Sequence, residues 1–387
     1  MIRKLTNNAR EYAWGSTSLM ADYFGIPATG APMAEIWFGT HEGSPTAVVD
    51  QNVSLLELRA GEQLPFLVKF LAAGQPLSIQ AHPNKAQAED GFARENALGI
   101  RLTDPARDYK DDNHKPEMIV ALTDFTALAG FRPLVDTIIS FQRIVMQAQS
   151  LNLFVLEKAF ADWIAVLRQA GLSALVTGLL NRPENLAEVC EELAQLAGLS
   201  RTVQNVESQN LALVPTLQEL YPGDPGVIIS QLMNVVELAP NESLEVNAGI
   251  VHAYVSGLGV EVMASSDNVL RGGLTQKHIN VEELKNVLDY TTALIRPDTA
   301  KTETQGLYRY PSRNKDYIVY RVEVGATNIL ADLELPNAAI IVCTAGEIAV
   351  GDSKEERQVL RKGEAAYLAD ANFYSFSGSG TGFLVTN

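Results

Sequence analysis

The apolar positions change texture three times along the chain. Up to about residue 130 the pattern is short apolar runs broken by Gly and Pro, as in AEIWFGTHEGSP and LPFLVKFLAAGQPLSIQAH, which predicts strands and loops. Within the second run, PLSIQAHPNK (76–85) alternates strictly. Leu77, Ile79 and Ala81 fall on one face of a strand, and Ser78, Gln80 and His82 on the other. After FRP (131–133) the period lengthens, and a helical reading holds from Leu134 to about Tyr221. Its clearest piece is NRPENLAEVCEELAQLAGLS, where Leu186, Val189, Cys190, Leu193 and Leu196 recur at three- and four-residue steps. Pro183 stands near its start and Gly198 just past its expected end. YPGDPG (221–226) closes the block. NVVELAPNESLEV then returns to alternation around a PNES turn, VEELKNVLDYTTAL predicts one more helix, and strands fill the chain beyond about residue 300.

This order predicts a mainly β protein with a helical insert. Residues 1–132 and 223–300 form one discontinuous β unit, 133–222 the insert, and 301–387 a second β unit. LAPNESLEVNAGIVHAYVSG, from Leu238, is weakly echoed by LRKGEAAYLADANFYSFSGSG, from Leu360. The echo aligns Glu242 with Glu364 but sets Tyr374 where the first copy has His252. Two β-barrel or jelly-roll units would explain it, with a metal-type histidine in the first only.

Composition narrows the classes. At 387 residues, with 47% hydrophobic and 20% charged side chains, the chain can bury large cores. Its net charge of −16, from 30 basic and 46 acidic residues, excludes a duplex-DNA footprint, so no nucleic-acid partner is expected. A cluster of cations inside such an acidic chain would signal an anionic ligand. Cys190 and Cys343 have neither metal-type spacing nor a disulfide framework. The opening MIRKLTNNAREYAWG has no apolar signal core and no run approaches a membrane span. A cytoplasmic monomer without a membrane partner is the expectation.

Only five histidines are present, and three sit in polar settings: IQAHPNK, DNHKPE and GIVHAYVSG. Gln80 and His82, two apart on a strand, can reach one ion from one face. His252 and Glu117 would bring a second imidazole and a carboxylate, a donor set suited to Zn²⁺ or a similar ion. No HExxH or paired CxxC competes, and GLG (257–259) is too short for a dinucleotide loop. VEVMASSDNVLRGGLTQK (260–277) gathers Glu261, Asp267, Arg271 and Lys277 around small residues. Alone, it reads as a solvated loop with an Asp267–Arg271 ion pair. With Lys85 and Lys115 beside the candidate ligands, it reads as an anion site. His41 reads as a loop residue with a local hydrogen bond, His278 as a helix start outside the site, and Trp37 as core. Trp14, in YAWGS, can stack on a ring. Cys190 belongs to its helix's apolar stripe.

YKDDNHKPE (109–117) and HAYVSGLGVEVMASSDNVLRGGLTQK (252–277) resemble the two signature segments of type I mannose-6-phosphate isomerases. YAWG (12–15), AEIWFGTHEGSP (34–45) and PLSIQAHPNK match that family in the same order, and the likeness thins in the insert and the C-terminal region. The resemblance implies a pair of cupin-type jelly rolls, the second non-catalytic, with the helical insert. It also implies one zinc per chain on Gln80, His82, Glu117 and His252, an active-site arginine at Arg271, and Ser78 and Lys277 near a sugar phosphate. Trp14, Lys85, Lys115, Tyr254, Glu261 and Asp267 would surround the sugar. Gly272 stands where the family usually has Ala and Gln276 where it usually has Pro, so the backbone around Lys277 is freer. The implied reaction is the interconversion of mannose 6-phosphate and fructose 6-phosphate through a cis-enediol(ate). Glu261 is favoured as the base over Asp267 and Lys115, and Lys115 or His114 assists ring opening. Binding of a sugar phosphate without turnover, or isomerisation of a related phosphorylated sugar, are the alternatives.

Overall fold

The computed structural model describes residues 1–202, 209–326, 328–369 and 372–387. Residues 203–208 of the helical block, and Asp370 and Ala371 in the second arm of the echo, lie outside the described residues. The mainly β architecture with a helical insert is present. Among the described residues the strands form two ten-stranded antiparallel systems.

The first system is organised by the strand His252–Ala264, which pairs with Phe66–Ala73, Ile79–Ala81, Glu117–Ala121 and Phe125–Phe131. Phe66–Ala73 is buried along its whole length, which is why FLVKFLAA runs apolar on both faces. The second system is built on Ala339–Asp352 paired with Asn372–Thr386. The strands Ile2–Thr6 and Ala47–Val48, far from residues 301–387 in the chain, hydrogen-bond into this second system beside Ala365–Leu368. Only Ile2 and Leu5 of IRKLT are buried, as suits a strand near a sheet's margin. Phe66, Phe70, Val260 and Val262 of the first system share one apolar core with Ile340, Val342 and Phe383 of the second. The two systems are therefore bonded by burial rather than merely tethered.

The insert comprises the helices Leu134–Leu151, Phe154–Gln169, Gly171–Leu180, Leu186–Thr202 and Gln209–Leu220. Leu186, Val189, Cys190, Leu193 and Leu196 are buried as their spacing predicts. Two helix ends differ from expectation. Gly198 does not stop its helix, which runs on to Thr202; burial of Leu196 and Ala197 offsets the roughly 1 kcal/mol that a mid-helix glycine costs. VEELKNVLDYTTAL is helical only over Val281–Val287. The Asp289 N–H is taken by the Gly249 carbonyl at 2.9 Å and the Asp289 side chain accepts from Thr291 N–H at 2.8 Å, so the chain turns instead.

Candidate metal centre and active site

A cavity of about 500 Å³ opens over the first sheet. Its floor comes from the strand Ile79–Ala81, which is hydrogen-bonded between His252–Ala264 and Leu270–Gly273. Gln80 therefore lies opposite both His252 and Arg271. The regular part of PLSIQAHPNK is only three residues long, yet Ser78 and Gln80 line the cavity and His82 is buried beneath it, as the alternation predicts.

The metal-type group is formed by His82, Glu117 and His252, all buried, with ligand atoms within 4.8 Å of one another. Both imidazoles are oriented from behind. His82 Nδ1 donates to the Asn268 carbonyl at 2.7 Å, and His252 Nδ1 to the Ile250 carbonyl at 2.9 Å. A carbonyl cannot donate, so each ring carries its proton on Nδ1 and turns a bare Nε2 lone pair inward. Those Nε2 atoms lie 3.1 and 3.4 Å from the two oxygens of Glu117. Lone pair facing carboxylate is repulsive unless a proton or a cation stands between them. Burial, with Lys115 nearby, pushes the His82 pKa down to about 4, so a proton does not fill that place at neutral pH. His82 Nε2 is accordingly a buried nitrogen with no hydrogen-bond partner. Two imidazole nitrogens and a carboxylate fit a divalent ion such as zinc. Gln80 is adjacent, its Nε2 at 3.3 Å from His252 Nε2; a half-turn of the amide offers the oxygen. Lys115 Nζ lies 3.0 Å from Glu117 Oε1, and the Tyr254 hydroxyl donates to Glu117 Oε2 at 3.4 Å. Burial opposes ionisation of Glu117, but Lys115 and the two imidazoles outweigh it and hold the carboxyl well below its usual range.

The wall is a row of cross-strand neighbours. Glu261, Lys69 and Trp37 face one another on three adjacent strands. Lys69 Nζ is 2.7 Å from Glu261 Oε2 and 3.4 Å from Glu35 Oε1, all three groups buried. Burial alone would strip the proton from Lys69, but the two carboxylates outweigh it and raise the pKa. Burial pushes Glu261 upward while Lys69 pulls it back. Trp37, expected as core, is indeed buried, but it also lines the cavity and donates from Nε1 to Glu35 at 2.9 Å. Neither Lys69 nor Glu35 was among the residues singled out by sequence. Lys69 did leave a signal: it is the one charge inside an eight-residue apolar strand, where an ammonium must find a carboxylate.

Arg271, Lys277, Ser78, Trp14, Tyr254, Asp267 and Lys115 also line the cavity. Asp267 does not pair with Arg271. Its carboxylate lies 3.2 Å from His41 Nε2, while His41 Nδ1 keeps the expected local bond, accepting from Gly43 N–H. Burial raises the Asp267 pKa, but His41 and Lys115 outweigh it and leave it lowered. Among the described residues no carboxylate stands within ion-pair distance of Arg271. Burial lowers its pKa, and burial together with Arg271 lowers that of Lys277. Two cations on one cavity wall, one of them lowered by the other, are a setting that suits an anion. Two other candidates lie elsewhere. Lys85 opens the helix Lys85–Ala97, donates to the Asp112 carbonyl and is not a lining residue; His114 turns its Nε2 to Asp316 at 2.9 Å. His278 lies outside the cavity, ahead of the helix that begins at Val281 with Asn280 as cap.

Comparison with known proteins agrees with this geometry. The family described as phosphomannose isomerase type I, catalytic domain, matches residues 2–134. A mannose-6-phosphate isomerase of Salmonella typhimurium is 36% identical over 399 residues, covering 98% of each chain. One of Escherichia coli is 33% identical over 389 residues, covering 95% of each. A solved mannose 6-phosphate isomerase bound with zinc and yttrium superposes with a TM-score of 0.86 at 34% identity, over 100% of this chain and 99% of its own. With likeness over nearly its whole length in both sequence and fold, the chain belongs to the type I phosphomannose isomerases, a family of cupin-fold enzymes.

Proposed function

We propose that this cavity interconverts mannose 6-phosphate and fructose 6-phosphate through a cis-enediol(ate), with one Zn²⁺ held by Gln80, His82, Glu117 and His252. The observation that carries the reading is a single cavity with two inward-facing imidazole lone pairs at its floor and an uncompensated Arg271–Lys277 pair at its wall. A bound ion there supplies Lewis-acid polarisation of a sugar oxygen. Lys277, with Ser78, receives the phosphate, and Trp14 offers its face to the sugar.

Ring opening gives the aldehyde, and Lys115, beside Glu117, is placed to assist it. Glu261 then takes the C2 proton; the C–H electron pair becomes the C1–C2 double bond and negative charge grows on O1. Arg271 stabilises that charge. Return of the proton from Glu261 to C1, with the O2 proton passed to O1 as the C2 carbonyl forms, completes the ketose. Glu261 is favoured over Asp267 because burial raises its pKa, whereas Asp267 is lowered, which makes it the weaker base. A coupled assay of fructose 6-phosphate formation tests the reading. Arg271→Ala should keep its zinc by elemental analysis and lose about 10²–10³-fold in kcat. Full turnover in that variant, or in protein freed of metal, would end it.

A further inference from the structure

The turn that ends the helical insert reaches both segments of the anion site. Tyr221 lines the cavity and donates its hydroxyl to the Pro76 carbonyl at 2.9 Å, two residues before Ser78. Three residues on, buried Asp224 accepts from the Leu274 N–H at 2.6 Å, midway between Arg271 and Lys277. The same oxygen accepts from Gly226 N–H at 2.8 Å, and its partner oxygen lies 3.1 Å from Arg182 Nη2, a residue of the insert.

The backbone held this way is not one that a chain adopts unaided. Leu274 has φ of 49° and Gly273 of 139°. A Cβ on Gly273 would stand 2.6 Å from Gly226 Cα, and one on Gly226 would stand 2.5 Å from Leu274 N. Two glycines let the short helix Pro225–Ile229 touch the strand Leu270–Gly273, and one carboxylate bonds the Gly226 and Leu274 N–H groups across the contact.

We propose that Tyr221 and Asp224 are positioning residues: a clamp by which the insert sets the distance between Ser78 and the Arg271–Lys277 loop, and so the fit of the substrate's phosphate. This rests on the phosphate site proposed above. It gives the YPGD turn and the insert a part in recognition although neither touches the reacting carbons.

The test uses the metal-loaded enzyme and inorganic phosphate as the probe, read as its inhibition constant. Asp224→Ala should weaken phosphate and raise KM about tenfold, from loss of both N–H bonds to its Oδ1, and Tyr221→Phe about threefold, from loss of one half-buried hydrogen bond. The change should sit in KM rather than kcat, with zinc content unchanged. A merely structural role would lower active fraction and metal content together and leave the phosphate constant of the surviving enzyme untouched; that result overturns the proposal. Should Asp224→Ala fail to fold, Tyr221→Phe decides alone. Lys277→Ala separates the two ideas. If it binds phosphate as the parent enzyme does, the phosphate site itself is misplaced and the clamp falls with it. If Lys277→Ala weakens phosphate but neither clamp variant does, only the clamp is wrong.

Discussion

The turns Ala239–Glu242 and Arg361–Glu364 are the same object built twice. In each the fourth residue's N–H bonds the first residue's carbonyl, at 3.0 and 2.9 Å. In each the third residue has positive φ, 72° at Asn241 and 88° at Gly363. In each the glutamate side chain accepts from the first residue's N–H, at 2.8 and 2.7 Å. Ten residues past the glutamate the copies part. His252 turns a bare nitrogen toward Glu117, whereas the buried Tyr374 donates its hydroxyl to the Ala369 carbonyl at 2.7 Å. All five histidines fall before residue 301. The scaffold is indifferent to catalysis. What sets the first unit apart is a pair of imidazoles turned on one buried carboxylate, with His82 Nε2 left without a hydrogen-bond partner; the second unit puts a tyrosine that bonds its own backbone at the matching place.

The largest effect should come from removing that asymmetry on the metal side. His252→Ala withdraws one of two imidazoles from a carboxylate already buried beside Lys115. Zinc by elemental analysis should fall to background and isomerase activity by on the order of a thousandfold or more. An active, metal-free His252→Ala enzyme would erase the distinction between the units.

Much of this contrast was legible in the sequence, because alternation places Ser78, Gln80 and His82 on one face and the echo sets Tyr374 against His252. Less could be read where a strand breaks its own rule. In strict alternation, Glu261 would face away from His252 and Tyr254. The register slips between Tyr254 and Ser256, and this bulge returns Glu261 and Met263 to the cavity side. Pairing across strands was equally hidden. Asp267 meets His41 from a loop more than 200 residues away, and no local pattern distinguishes that partner from Arg271. The membership of Ile2–Thr6 in the second sheet was hidden too, since IRKLT carries no sign of which edge it will join.

A middle-sized effect belongs to the other side of the comparison. Tyr374→Phe removes the hydroxyl that bonds Ala369 and leaves a partly buried carbonyl short of a donor. Stability should drop by about 1–2 kcal/mol, read as a lower thermal midpoint, with kcat and zinc content unchanged. Tyr374→His should gain no metal, because among the described residues the only convergent His/Cys/Asp/Glu group is His82, Glu117 and His252. Zinc bound stoichiometrically at a new histidine would show the second unit to be a dormant site rather than a closed one.

The smallest effect concerns the repeated turn itself. Glu364 is held not only by the Arg361 N–H but also by Lys4, at 2.9 Å, on the strand the second sheet takes from the start of the chain. Burial pushes the Glu364 pKa up, but the Arg361 N–H and then Lys4 outweigh it and leave it lowered. A carboxyl whose folded pKa lies below its unfolded value, about 4.3, adds stability at neutral pH and loses it as pH falls through the folded value. Glu364→Gln should therefore melt slightly below the parent at pH 7, and the gap should close on acidification below about pH 4. Side chains this exposed make the gap small and salt-sensitive. A gap that widens with acid would mean that the turn favours the protonated carboxyl, and that Lys4 ties the borrowed strand to its sheet by something other than charge.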